Sequence, residues 1–523
     1  MKGQTKPPRA RSRPEARLLL AIIILAAALV RLAFLTRTSL IFDELYNIMV
    51  DRLSLSDLMR EALAAGHPPL YYLLARVWYL AGTGEFWARS LSVAAGLLTV
   101  LLTYALGREL FERRTSLLAA ALAAFSPFLV WYSRTVIYYS WVAPLALLSL
   151  YFLVRSARRG GLWNWLGYLA ATVAVFLVYF YAAAILLAGL PLYWLLRDGR
   201  RSSRAAWLLS QAALLPAVLL SYYFSRQATS ADVTGLGWPR LDQLKNLAKG
   251  LAAAPAVLMG GEQVDITAGG WLAVRWLALL ALLLTAAVVA VLASRGLRER
   301  FLTRESVALA VFVVLMTVLP LAVQYVRIGS MLGRYYIWAV PPLMLLIAFI
   351  IERAPGRLFY PLSAVTLLLL LAVSVAGYGH RADSDWRTIM AMVNAGREEG
   401  DAMLCFHVHQ CEIAAGYYME EPMPVHGGFL GGPDEVFFMP AGEAWDGYAS
   451  GYWAGTGATP ALKGGEVSAR LASDLAGARR LWVVSGDICP QYPGICDYLD
   501  GSWRQVDRWQ KDFVTVRLYQ RRE

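Results

Sequence analysis

Residues 18–47 read LLLAIIILAAALVRLAFLTRTSLIFDELYN. An apolar run of membrane-crossing length ends at a short polar turn, and two adjacent carboxylates, Asp43 and Glu44, follow within a few residues. About 20 predominantly apolar residues are needed to cross the hydrocarbon of a bilayer. A segment that only anchored the chain would close with Lys, Trp or Ser at the headgroup level. An acidic pair at that place asks for a chemical reason.

The rest of the chain repeats the apolar pattern. Of 523 residues, 58% are hydrophobic and only 16% charged, with 18 Trp and 27 Tyr, whereas soluble domains carry about 25% charged residues. Near-spanning apolar stretches recur from Leu18 to Gly377 and then stop. The composition predicts a polytopic α-helical membrane domain, residues 1–377, followed by a soluble domain, residues 378–523.

The formal net charge is +12, but the arginines are not pooled on one surface. They fall in short clusters around residues 2–17, 108–114, 155–159, 197–204, 295–304 and 353–357, with enough apolar chain for two crossings between successive clusters. Basic residues favour the cytoplasmic side of short loops. The charge therefore reports topology, and no nucleic-acid partner is expected. Crossings are predicted near 18–36, 90–107, 115–132, 137–154, 163–179, 181–196, 205–224, 271–293, 306–326, 336–351 and 358–377. That makes eleven spans, with the N-terminus inside as an uncleaved signal anchor and the C-terminal domain outside. Richness in Ala, Arg and Gly points to a prokaryote and hence to a cytoplasmic (inner) membrane.

Cysteine placement agrees with this topology. Cys405, Cys411, Cys489 and Cys496 all lie in the C-terminal domain and none in the membrane part. An even number confined to a domain outside the cytoplasm suits disulfides. Local pairs Cys405–Cys411 and Cys489–Cys496 are expected, with the two other connectivities left open. His407 and His409 flank Cys411, but their spacing matches no standard zinc pattern.

The first exterior loop, residues 38–88, is long for a connector. It holds the acidic pair, a mixed stretch DRLSLSDLMREAL suited to a helix at the interface, and then HPPLYYLLARVWYLAG. The apolar part after Pro69 is too short to span, and counting it as a crossing would place every later basic cluster on the wrong side. A second long exterior segment, Arg226–Gly270, carries the amphipathic stretch LDQLKNLAKGL. The remaining exterior turns are dense in Tyr and Trp, which headgroup-level aromatic belts explain. Belts do not explain Arg134 and Arg334 in the same turns. The C-terminal residues alternate helix-like and strand-like stretches, predicting a small α/β domain of about five strands without a phosphate-cradling glycine motif.

Asp43 and Glu44, His67 before two prolines, Arg134, Arg334 and the tyrosines 46, 71 and 138 all fall on the exterior side of this topology. They would furnish a base, cationic anchors and stacking surfaces to an outward cavity. Each has a bland alternative: helix caps for the acids, snorkelling for the arginines, packing for the rings.

In order along the chain, FDELYN, HPPLYYLLARVW, WARSLSVAAGLLTVLLTYALGRELF, SPFLVWYSRTVIYYSWVAPLALLSLYFL and GRYYIWAVPPLMLLI resemble the GT-C membrane glycosyltransferases, over residues 18–350. The branch they resemble holds the protein O-mannosyltransferases and the lipid A aminoarabinose transferases. The resemblance implies a sugar donor carried on a polyprenyl phosphate, inversion at the anomeric carbon, and the loop acid, here Asp43, as general base. Glu44 would orient the acceptor, and Glu44 and His67 would serve a divalent metal if the reaction uses one. Arg134 and Arg334 would grip the lipid phosphate, since guanidinium offers two parallel hydrogen bonds and keeps its charge. Tyr46, Tyr71 and Tyr138 would stack on sugar or prenyl units. His67 stands where the aminoarabinose enzymes carry lysine, which weakens its case as a phosphate ligand. The large domain that the protein mannosyltransferases insert between spans seven and eight is missing, so the acceptor, whether lipid, glycan or protein, does not carry over. The rival readings are a ligase or oligosaccharyltransferase using a diphosphate-linked glycan, and a lipid-linked sugar transporter. Transporters usually place ionisable groups near the bilayer midplane, and these spans are almost free of them.

Overall fold

The computed structural model describes residues 13–65, 67–179, 182–199, 203–227, 294–327, 333–379, 385–406, 408–421, 423–430, 436–438, 461–485, 492–511 and 514–522. The described chain divides into two compact units. One holds residues 13–35, 89–222 and 294–379; the other holds 36–88, 223–227 and the described residues from 385 onward. The exterior loop, which the sequence assigns to the membrane domain, is thus compact with the C-terminal residues.

The first unit is helical. Its helices are Arg13–Leu32, Glu85–Leu110, the bent pair Arg113–Phe125 and Pro127–Ser133, Tyr139–Arg159, Leu162–Phe176, Ala183–Leu196, Arg204–Gln227, Arg304–Arg327, Val340–Glu352 and Gly356–Ala376. Each coincides with a predicted span, while the predicted span 271–293 and the stretch LDQLKNLAKGL lie outside the described residues. Four of them are long and apolar enough to cross a membrane: Glu85–Leu110, Tyr139–Arg159, Arg204–Tyr223 and Gly356–Ala376. Large apolar side chains point outward from the last of these, Leu368 and Leu369 being more than 60% exposed. The chain is a membrane protein, and such faces meet lipid at no cost.

Sequence explains the local shapes. The bent pair turns by 57° at Ser126, where Pro127 can start a helix but cannot continue one. Helix Arg113–Phe125 buries a run of alanines, and small residues let helix backbones approach where no hydrophobic force drives them together. Gly96 lies at such an approach: a Cβ there would stand 2.7 Å from Arg31 Nε and 2.1 Å from Ser133 Oγ.

In the second unit the loop folds into three short helices, Phe42–Val50, Leu55–Ala64 and Leu70–Tyr79. Leu55–Ala64 is capped by Ser54, whose hydroxyl accepts the Asp57 amide at 3.2 Å. Leu70–Tyr79, at 10 residues, is only about 15 Å long and cannot span. It buries Tyr71, Tyr72, Ala75 and Tyr79 and exposes Leu73, Val77 and, just beyond, Leu80. Trp78 and Trp87 stack at 5.0 Å, and each indole donates to the other's carbonyl, closing the turn that leads out of the loop.

The C-terminal part forms one sheet among the described residues, with six strands rather than about five. They are β1 (Asp401–Cys405), β2 (Val425–Leu430), β3 (Val436–Phe438), β4 (Arg480–Ser485), β5 (Trp503–Lys511) and β6 (Val514–Arg521), in the order β3-β2-β1-β4-β6-β5. β1 is parallel to β2 and to β4, while β3, β5 and β6 pair antiparallel. Helices Trp386–Gly396, Val408–Tyr418, Gly465–Asp474 and Pro493–Ser502 accompany the sheet. One face is filled by Leu404, Phe406, Leu471, Leu481, Val483, Ile495 and Trp503. Burying both faces of β1 explains the apolar run Ala402–Cys405 that follows Asp401.

Candidate active site

The predicted residues divide between the two units. Asp43, Glu44, Tyr46, His67 and Tyr71 belong to the loop of the second; Arg134, Tyr138 and Arg334 belong to the first.

Asp43 and Glu44 occupy the first turn of helix Phe42–Val50, at the positive end of its dipole. Glu44 is fully buried, and its Oε2 accepts the Ile41 amide at 3.0 Å. That is half of a capping box, since Ile41 has no side-chain acceptor to return the bond. Asp43 is partly exposed, and its carbonyl accepts the Asn47 amide side chain at 2.7 Å. Of the pair, Asp43 is the less buried residue.

Behind them the loop is a packed polar interior. Tyr46 donates to Glu61 at 3.1 Å, both residues being buried. Tyr71 is buried at the start of its helix; burial first, then the neighbouring Tyr72, Glu44 and Asp51, push its phenol far above the usual range. Burial likewise raises the Asp51 carboxyl, and Arg76 opposes it. Tyr46 and Tyr71 are both buried. His67 Nδ1 bonds to Tyr72 Oη at 2.8 Å, with the rings stacked. Among the described residues no three His, Cys, Asp or Glu side chains gather as a metal site. His407 and Cys489 lie outside the described residues.

Arg134 is bonded to backbone within the first unit. Its Nη1 donates to the carbonyls of Arg31 and Ala33, both at 2.7 Å, and of Val30 at 3.3 Å, while Nη2 donates to Phe34 at 3.0 Å. Those are the unsatisfied carbonyls at the end of helix Arg13–Leu32. Phe34 adopts φ 53°, a left-handed turn usually given to glycine. The guanidinium also lies 4.1 Å from the Tyr378 ring centroid. Arg31 is itself fully buried, donating to Ala27, Ala124 and Ser133. Two arginines thus cap and brace the end of helix Arg13–Leu32.

Arg334 is differently placed. Its Cζ is 5.7 Å from the Tyr139 ring centroid, at the edge of an aromatic cluster. Tyr138 and Tyr139 lie 4.2 Å apart with their hydroxyls bonded at 2.7 Å. Tyr139 also meets Tyr179 and Tyr335, and Tyr179 meets Trp338 at 5.4 Å. The rings come from three segments far apart in sequence, around residues 138, 179 and 335. A belt would spread them round the perimeter; here they converge. Tyr139, Tyr179, Tyr335 and Trp338 were legible only as aromatic density in those turns.

Residues 66–224 match the family described as Dolichyl-phosphate-mannose-protein mannosyltransferase. Among solved structures, ArnT from Cupriavidus metallidurans in the apo state matches at a TM-score of 0.58 with 12% identity, over 97% of this chain and 98% of that one. The structure of the same protein bound to undecaprenyl phosphate matches at 0.53 with 13% identity and the same coverage. This chain has the GT-C fold. The archaeal oligosaccharyltransferase AglB from Archaeoglobus fulgidus matches more loosely, at a TM-score of 0.49 with 13% identity, over 97% of this chain and 74% of that one. No curated protein matches by sequence. Within this chain, the family segment begins one residue before His67 and takes in Arg134 and the tyrosine pair at 138 and 139. The acidic pair precedes it and Arg334 follows it.

Proposed function

We propose that this GT-C protein is an inverting glycosyltransferase that moves a sugar from a polyprenyl phosphate to an acceptor at the outer face of the cytoplasmic membrane. The observation that carries the reading is the partial exposure of Asp43 beside a buried, capping Glu44. A hydroxyl is a poor nucleophile at neutral pH, and a carboxylate within hydrogen-bond reach contributes about 10²–10⁴ in rate as general base. The acceptor oxygen attacks the anomeric carbon and gives its proton to Asp43. The bond from that carbon to the phosphate oxygen breaks, and the polyprenyl phosphate leaves with the electron pair. One displacement inverts the centre.

Arg334 is the arginine we assign to the leaving phosphate, with Tyr138 in the aromatic wall beside it. Binding of undecaprenyl phosphate by the fold relative ArnT supports a donor of that lipid class. Glu44, Tyr46 and Tyr71 support the loop from within. The Cys405–Cys411 disulfide and the bonded state of Cys496 support an oxidising compartment for the C-terminal domain, and with it an N-terminus inside.

The test is a panel of polyprenyl-phosphate sugars offered to the protein in native membranes, with the product's anomeric configuration read by NMR. Transfer from one donor with inverted configuration is expected. Transfer only from diphosphate-linked glycans, or retention at the anomeric carbon, contradicts the proposal.

A further inference from the structure

Three side chains of the C-terminal part hold both ends of the loop that carries Asp43. Glu85, at the exit of the loop, accepts from Arg387 Nε at 3.0 Å and from Arg387 Nη2 in a two-pronged pair. The same Nη2 donates to the carbonyls of Thr36 and Thr38 at 3.0 and 3.1 Å, at the loop's entry. Tyr418 donates to Glu85 Oε1 at 2.8 Å and accepts the Leu40 amide at 3.0 Å. Tyr417 donates to the Thr83 carbonyl at 2.8 Å. Entry residues 36, 38 and 40 and exit residues 83 and 85 therefore meet one set of partners.

The loop's first helix rests on the helix that supplies those tyrosines. Helix Phe42–Val50 packs on Val408–Tyr418, and Gly416 permits the approach: a Cβ there would stand 3.2 Å from Met49 Cε. Arg52 adds a bond to the Gly416 carbonyl at 3.4 Å. The Cys405–Cys411 disulfide ties the start of the same helix to the end of β1. Leu40, held by Tyr418, precedes Asp43 by three residues.

We propose that Arg387, Tyr418 and Glu85 are positioning residues that set the Asp43 carboxylate, making the C-terminal domain a working part of the glycosyl-transfer machinery. The inference rests on Asp43 being the base. None of the three needs to touch substrate. An isolated ion pair of this exposure, with Glu85 13% and Arg387 42% exposed at the side chain, would matter little for stability. Its place matters more, because misplacing a reacting group by about 1 Å costs roughly 10² in rate.

The test measures sugar transfer by the full-length protein in nanodiscs, for Arg387→Ala, Arg387→Lys and Tyr418→Phe, each in the wild-type and the Asp43→Asn background. Arg387→Ala is expected to lower kcat by about tenfold or more with donor KM within twofold, and Arg387→Lys, which keeps the charge but loses the fork, to recover part of it. In the Asp43→Asn background Arg387→Ala should cost nothing further, since a positioning residue acts only through the base. Equal losses in both backgrounds, or wild-type kcat in Arg387→Ala, overturn the positioning role alone. Full activity of Asp43→Asn by itself instead overturns the reading of Asp43 on which it rests. Hydrogen exchange at residues 36–40 provides the readout that does not depend on transfer: Arg387→Ala should speed it, and unchanged exchange counts against the clamp.

Discussion

Asp43 and Glu44 are neighbours in the chain but differ in environment: Glu44 is sealed inside the loop with its Oε2 on the Ile41 amide at 3.0 Å, and Asp43 is only partly buried on the same turn. Successive residues on a helix point about 100° apart, so one acid of an adjacent pair can face inward while the other faces out. The pair divides its labour. Glu44 builds the helix that presents Asp43.

Glu44→Ala should therefore act on folding. Losing a buried hydrogen-bond acceptor and a helix cap costs about 1–3 kcal/mol, read as a lower thermal midpoint in detergent. Donor KM of the folded fraction should stay within twofold. A wild-type midpoint with lost turnover would return Glu44 to the chemistry.

For Arg134 the same distinction runs against the resemblance. Arg134→Ala strips four carbonyl bonds from the end of helix Arg13–Leu32 and should destabilise by about 3 kcal/mol or more. Protein that survives should bind polyprenyl phosphate as before. Weaker phosphate binding at an unchanged midpoint would show that the guanidinium leaves these carbonyls for the ligand.

Arg334→Ala should raise donor KM by about tenfold or more, the loss expected when a charge-assisted phosphate contact is removed. The pH dependence of turnover should be unchanged, because guanidinium does not titrate in the working range. Unaltered donor affinity would place Arg334 among the headgroup contacts.

The C-terminal sheet should depend on acid through Asp401. Burial alone would raise this carboxyl, but hydrogen bonds from Arg480 at 2.7 and 3.0 Å, the Glu398 amide and Trp482 outweigh it and hold it below the usual range. A depressed folded value means stability present above about pH 3.9, the ordinary carboxylate value, and lost as pH falls through the folded one. Asp401→Asn should cost about 1–3 kcal/mol at pH 7, with the two midpoints converging in acid. Parallel curves down to acid pH would contradict this.

The helices of the first unit were legible because each coincides with an apolar stretch of near-spanning length. Asp43 stood out for a similar reason, an ionisable group where anchoring calls for none. The partners of Arg134 were hidden: capping carbonyls a hundred residues away leave no local pattern. So was strand β2, where VHGGFL carries two glycines that strands disfavour. Gly427 there has φ +130°, and a Cβ would stand 2.1 Å from the Cys405 carbonyl oxygen, so backbone proximity, not strand propensity, selects glycine. The docking of loop 36–88 on helix Val408–Tyr418 was equally out of reach, since it pairs segments more than three hundred residues apart through Tyr and Arg side chains common everywhere in this chain.

The most direct measurement compares wild type and Asp43→Asn, at equal protein level and equal thermal midpoint, for transfer of radiolabelled sugar from its polyprenyl phosphate. The substitution keeps the shape of the side chain and removes its basicity. Turnover should fall at least about a hundredfold, with donor binding retained. Wild-type turnover in the variant would contradict Asp43 as the base, and with it the central claim.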